Sequence, residues 1–150
     1  MKVNSTRLLW VVQQFRRYYD RQFTDLLARS GLTMREMDVI LFLTNNPGHD
    51  TARDVTELRG LSKSQVSAAV DLLAERGLLD RLPDRADRRV VHLALTEAGA
   101  ALARQGRQIQ SACLEKLFSG LTPAETDRFQ QLLEKVLTGA ETQLLSLIHI

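Results

Sequence analysis

A mainly α-helical chain carrying one small β-hairpin is predicted by three features of the sequence. Apolar residues recur at three- and four-residue spacings through most of the 150 residues, and cap residues and glycines punctuate those runs. The period turns strand-like only once, around Leu79 and "VVHLAL" at residues 90–95. An apolar fraction of 44% suits one soluble domain, or two small lobes sharing a core.

Residues 5–29 place Leu8, Val11 or Val12, Phe15, Tyr18 or Tyr19, Leu26 and Leu27 on one stripe, with Gly31 as a stop, which predicts a single long amphipathic helix. Thr33 and Glu36 form a T-x-x-E capping box, and Met37, Ile40, Leu41 and Leu43 or Thr44 then build an apolar face that ends at "NNPG". Thr51 and Asp54 open a third helix with Val55 and Leu58 facing inward, and Gly60 permits a sharp exit. Ser62 caps a fourth, in which Val66, Ala69 or Val70 and Leu73 are the buried stripe and Gly77 the stop. Two short helices joined through "RGLS" are a helix-turn-helix signature. The hairpin follows, with strands "LLDRL" and "RVVHLAL" and the charged tip "LPDRADRR" at residues 82–89. Thr96 caps a helix running to about Phe118. Thr122, Pro123 and Glu125 then start a last one that runs to near the C-terminus.

The formal charge of +2 conceals an uneven distribution. Lys2, Arg7, Arg16, Arg17, Arg21 and Arg29 outnumber Asp20 and Asp25 at the start of the chain. Arg59, Lys63, Arg76, Arg81, Arg85, Arg88 and Arg89 outnumber Asp71, Glu75, Asp80, Asp84 and Asp87 around the second helix of the motif and the hairpin. Local basic density of this kind attracts a polyanion more than net charge does. The lone Cys113 excludes a disulfide framework, and with His49, His92 and His149 scattered there is no metal-ligand spacing. No metal or other cofactor is predicted. The apolar run "LLWVV" is too short for a secretory signal, and no stretch reaches membrane-spanning length, so a cytoplasmic protein without a membrane partner is predicted.

The ordered segments "LT..E..VI..L...PG", "GLSKSQVS..VDLLAERGLL", the Asp- and Arg-rich hairpin tip and "LALTEAG" resemble the MarR family of bacterial transcription regulators over nearly the whole chain. The resemblance implies a winged helix-turn-helix lobe at residues 31–96, flanked by dimerisation helices at residues 1–30 and 97–150. It further implies a homodimeric repressor that binds pseudo-palindromic double-stranded DNA and releases it when a small-molecule effector acts.

The residue chemistry agrees. A helix-turn-helix lays its second helix in the major groove, and here Lys63, Ser64, Gln65, Ser67 and Ala68 lie on the side away from the buried stripe, with Ser62 at the helix start as a further DNA-binding candidate. Gln65 suits paired hydrogen bonds to an adenine edge, and Lys63 and the serines suit phosphates or bases. Arg81, Arg85, Arg88 and Arg89 supply charge on the hairpin. Family members commonly carry arginine where this chain has Ala68, and alanine where it has Thr56. The family's Asp-x-Arg-Asp-x-Arg tip places Ala86 where an arginine is expected, so Arg85 is assigned the minor-groove or phosphate contact. Asp84 is assigned to cap the turn, and Asp87 to brace the loop by pairing with Arg89.

Trp10, Phe15, Tyr18 and Tyr19 crowd the first helix, where the resemblance implies a crevice for small aromatic effectors, against the alternative of core or dimer packing. Cys113, between Ala112 and Leu114, reads as a buried small hydrophobe, not a sensor. The tail "LLSLIHI" reads as dimer packing or a frayed end, not a membrane anchor. No Gly-rich phosphate loop, G-x-S-x-G, Cys–His arrangement or paired acids are present, so no enzyme is predicted. The rival reading is a winged helix used for protein contacts without specific DNA binding.

Overall fold

The structure, a computed structural model, describes residues 4–148, apart from the side chains of residues 144–148. Lys2, His149 and the tail side chains from residue 144 onward lie outside the described residues. The elements run α1 (Ser5–Gln22), α2 (Thr24–Ser30), α3 (Met34–Asn45), α4 (Ala52–Arg59), α5 (Lys63–Glu75), β1 (Leu79–Pro83), β2 (Val91–Leu95), α6 (Glu97–Leu117) and α7 (Pro123–Ile148). They divide into two compact units, Met1–Cys113 and Leu114–Ile150.

The helix predicted over residues 5–29 is two helices. At Phe23 the amide donates to the carbonyl of Asp20 at 3.3 Å, three residues back, and the Thr24 hydroxyl takes the Arg21 carbonyl at 2.9 Å. The ladder tightens there, and Phe23, at the break, is completely buried. Apolar periodicity continues through such a break, which is why the spacing alone does not reveal it.

Phe23 and Leu26 meet Met37 and Ile40 of α3, Val55 of α4, Val66, Val70 and Leu73 of α5, Leu79 and Leu93 of the hairpin and Ala103 of α6 in one core. Leu58, predicted to face inward, is 57% exposed. The position one turn on from Val55 is Arg59, which turns toward α3 and pairs with the nearly buried Asp38 at 2.9 Å, and this rotates Leu58 to solvent.

Strands β1 and β2 pair antiparallel from Leu79 opposite Leu95 to Pro83 opposite Val91. The hairpin runs straight into α6 because Thr96 binds both ends of the junction. Its hydroxyl donates to the Gly77 carbonyl at 2.7 Å and accepts the Gly99 amide at 3.2 Å. Cys113 on α6 is 1% exposed, and its burial pushes the thiol pKa up, as the sequence predicts for a packed thiol. Thiol-reactive dye is therefore expected to label the folded protein far more slowly than the urea-unfolded chain; rapid stoichiometric labelling of folded protein would contradict this burial.

Two surfaces stay apolar and exposed among the described residues. Helix α1 buries no residue and exposes Leu8, Leu9, Trp10, Val11 and Val12. In the second unit, Phe118 and Phe129 stack at 5.4 Å, while Leu121, Leu132, Val136 and Leu137 are exposed.

Candidate nucleic-acid interface

Helices α4 and α5 are each capped at their start by their own side chains. The Thr51 hydroxyl accepts the Asp54 amide at 3.2 Å, and the Asp54 carboxylate accepts the Thr51 amide at 3.0 Å, which closes a capping box. The chain then leaves α4 through Gly60 at φ +73°, a left-handed conformation that a side chain would strain. Two residues later Ser62 and Gln65 close a second box, with the Gln65 amide donating to the Ser62 hydroxyl at 3.3 Å and the Gln65 side-chain oxygen accepting the Ser62 amide at 3.0 Å. Helix α5 therefore starts at Lys63, three residues after the bend. At the other end of α5 the Arg76 guanidinium donates to the carbonyls of Ser30 and Gly31 at 2.5 and 3.1 Å, clamping the helix to the corner after α2.

This arrangement leaves Ser62, Lys63, Ser64, Ser67 and Ala68 exposed on one face. Gln65 is half-buried, and its oxygen serves the cap, so bidentate pairing with an adenine would cost that bond. The S-x-x-Q spacing was the signal for this role, and it is weaker than the T-x-x-E spacing at Thr33 only because glutamine also suits a base contact.

The hairpin tip is built on Asp84. Its Oδ1 accepts the amides of Ala86 at 2.7 Å and Asp87 at 2.8 Å, the geometry of an Asx turn, and its own amide donates to Val90 at 2.9 Å. Those amides, the Asp87 one foremost, and His92 hold the Asp84 carboxyl at about 2, so it stays ionised across the physiological range. Asp87 Oδ1 accepts the Arg89 amide at 3.0 Å and lies 3.5 Å from Arg89 Nε. Ala86 sits inside the turn with its amide used.

The hairpin arginines divide by what they touch. Arg81 is paired with Asp71 on α5, and Arg89 with Asp87. Arg85 and Arg88 have no hydrogen-bond or ion-pair partner among the described residues, and both line an open hollow beside Pro83 and Asp84. Between the hairpin and the paired helices lies a larger groove of about 670 Å³, floored by Val66, Val70 and Leu93 and rimmed by Lys63, Ser67 and Arg81.

Sequence reasoning missed one element of the tip. His92 lies between two carboxylates, with Nδ1 2.7 Å from Asp50 Oδ1 and Nε2 3.0 Å from Asp84 Oδ2. Asp50 first, then Asp84, raises the pKa of the ring. A partner 42 residues away in sequence leaves no local spacing to find.

Of the aromatic residues assigned to an effector, Phe15 and Tyr19 line a cavity of about 370 Å³ with Phe42, Asn45, Arg59 and Gln110, whereas Trp10 and Tyr18 do not. The Tyr19 hydroxyl accepts from Gln110 at 2.8 Å, and its burial raises the phenol pKa. Trp10 is 59% exposed on the uncovered face of α1. Among the described residues no group of side chains is arranged to hold a metal, and no helix is long and apolar enough to cross a membrane.

Residues 30–90 match the sequence model of the MarR family. The transcriptional repressor MprA of Escherichia coli (strain K12) is 35% identical over 79 residues, which cover 53% of this chain and 45% of that repressor. The match thus spans under half of MprA's length. The HTH-type transcriptional repressor IacR of Pseudomonas putida is 26% identical over 124 residues, covering 83% of this chain and 74% of IacR. Among solved structures, BpsR of Bordetella bronchiseptica, whose DNA binding is regulated by 6-hydroxynicotinic acid, superposes with a TM-score of 0.64 at 26% identity, over 87% of this chain and 98% of that one.

Proposed function

We propose that the chain is a winged-helix regulator of the MarR family, and that it acts as a homodimeric, sequence-specific DNA-binding repressor released by a small aromatic effector. The observation that carries this reading is the pair Arg85 and Arg88, charged, exposed and unpartnered among the described residues at the tip of the hairpin that the Arg81–Asp71 pair ties to α5. A cation left without an internal partner is free to replace a phosphate counterion, and a wing beside a recognition helix reaches the backbone flanking the major groove. Lys63, Ser64 and Ser67 face that groove, with Ser62 at the helix start. Arg81, held by Asp71, acts as a brace joining wing to helix, and Asp84 and Asp87 hold the loop shape.

Dimerisation is supported by the uncovered apolar surface of α1, with Leu9 68% and Trp10 59% exposed. Contiguous apolar surface on a soluble protein marks an interaction site, and a second copy covers it with the same chemistry. The segments assigned to the dimer are residues 1–30 and 97–150, with residues 31–96 as the DNA-binding lobe. The 370 Å³ cavity, with Phe15 and Tyr19 as aromatic walls and the Arg59–Asp38 pair at its edge, suits a small aromatic molecule.

The test is a mobility-shift assay with the DNA upstream of the protein's own gene, against a scrambled duplex. A specific shift at physiological salt is the expected result. Equal retention of both duplexes, or of neither, would overturn this reading and favour a winged helix that contacts proteins.

A further inference from the structure

The His92 side chain bridges the Asp84 turn to Asp50 through two donated bonds only when its ring carries both protons, and we infer that it makes DNA binding proton-dependent, tighter below and weaker above the titration of this one side chain. The inference deepens the reading of the chain as a DNA-binding regulator and rests on it.

The geometry carries the argument. Both ring nitrogens sit within hydrogen-bond distance of a carboxylate oxygen, Nδ1 of Asp50 and Nε2 of Asp84. Ionised carboxylates only accept, so both bonds need N–H donors, and only the imidazolium has two. Neutral imidazole can donate to one carboxylate and must turn a lone pair on the other. The two acids belong to different parts of the lobe. Asp84 holds the turn that presents Arg85 and Arg88. Asp50 lies just before α4, where its carbonyl accepts the Leu93 amide at 2.7 Å and Thr51 bridges to His92. The protonated ring is thus a side-chain strut from the wing tip to the entrance of the helix-turn-helix, and its loss loosens the Asp84 turn while the backbone bonds of β2 to Asp50 and Thr51 remain.

The surroundings leave His92 as the responding group. Strand β1 presents Leu82 at the opposite register position, and among the described residues Asp50 and Asp84 are the charged groups that act on the ring. His49, beside Asp50, faces Asp54 at 3.6 Å instead. The sign follows from the raised pKa of the ring: the imidazolium bonds are complete below the unfolded-state value of histidine and are lost as pH rises through the folded-state value.

The experiment is a series of fluorescence-anisotropy titrations of the upstream duplex at constant ionic strength, from about pH 6 to about pH 8.5. Wild-type protein and His49→Gln are expected to lose roughly three- to tenfold in affinity as pH rises, the change that follows when bound DNA raises the ring pKa by half to one unit. Asp50→Asn is expected to bind with nearly constant affinity, because an amide can donate to Nδ1 of the neutral ring and accept from the charged one. A generic effect of a cation near DNA would persist in Asp50→Asn, so a wild-type response in that variant overturns the inference, as does a flat wild-type profile. Nuclear magnetic resonance of the free protein gives a readout that needs no DNA. The Ala86 and Asp87 amide signals are expected to move with the same midpoint as the His92 ring, above the ordinary histidine value. Absence of that shared transition overturns the strut itself. A shared transition in a protein that binds no DNA at any pH overturns the regulator reading and the coupling, and leaves the strut standing.

Discussion

The double variant Arg85→Ala/Arg88→Ala is expected to bind operator DNA roughly 100-fold more weakly at physiological salt, with the log–log salt slope flatter by about 1.8. Each arginine lost removes one phosphate neutralisation, about 0.9 in slope, and a charge-assisted hydrogen bond of about 1.5 kcal/mol, so two together make about 3 kcal/mol. The double variant should fold normally, since neither side chain has a partner among the described residues and both are exposed. Arg81→Ala is the instructive comparison. Its guanidinium is already neutralised by Asp71, so its removal should change the slope less than either tip arginine while loosening the hairpin from α5. Anisotropy titrations over a salt series measure all three. A double variant with wild-type affinity and slope would place the wing away from the DNA.

Gly99→Ala is expected to cost about 3 kcal/mol of stability and to lower the melting midpoint by roughly 10 °C. A methyl group at Gly99 would overlap the Leu78 carbonyl oxygen, a backbone atom that the hairpin pairing and the Thr96 amide hold in place. A flexible side chain would swing away; a carbonyl in that setting moves only by shifting the first turn of α6 off the hairpin. Gly120→Ala is the control, because nothing lies within 4 Å of the added methyl and the backbone there is not left-handed. Thermal melts followed by circular dichroism distinguish the two. Equal midpoints would mean that α6 does not pack on the hairpin as closely as described.

Most of the fold was legible because its signals are local. The boxes at Thr33–Glu36 and Thr51–Asp54, the left-handed exit at Gly60 and the cap at Thr122 all operate within four residues, and each structural boundary follows them. The break at Phe23 was not legible, since the residue keeps near-helical angles and the apolar period runs on. The outward turn of Leu58 depends on Arg59 reaching Asp38, a contact made across two helices. The candidate interface divides in the same way. Residue type places the arginines in the hairpin, and the Asx turn on Asp84 follows from spacing. Which arginines stay unpaired is decided by partners elsewhere: Asp71 on another element holds Arg81, and the imidazole spanning Asp50 and Asp84 joins segments that only the fold brings together.

Hydroxyl-radical footprinting of the bound duplex, with wild-type protein and with Arg85→Ala/Arg88→Ala side by side, tests most directly that the wing tip and the open face of α5 form the DNA-binding surface. Two protected central segments about one helical turn apart, flanked by outer protections that vanish in the double variant while the central ones remain, are the predicted pattern. Identical outer protection by both proteins would contradict it.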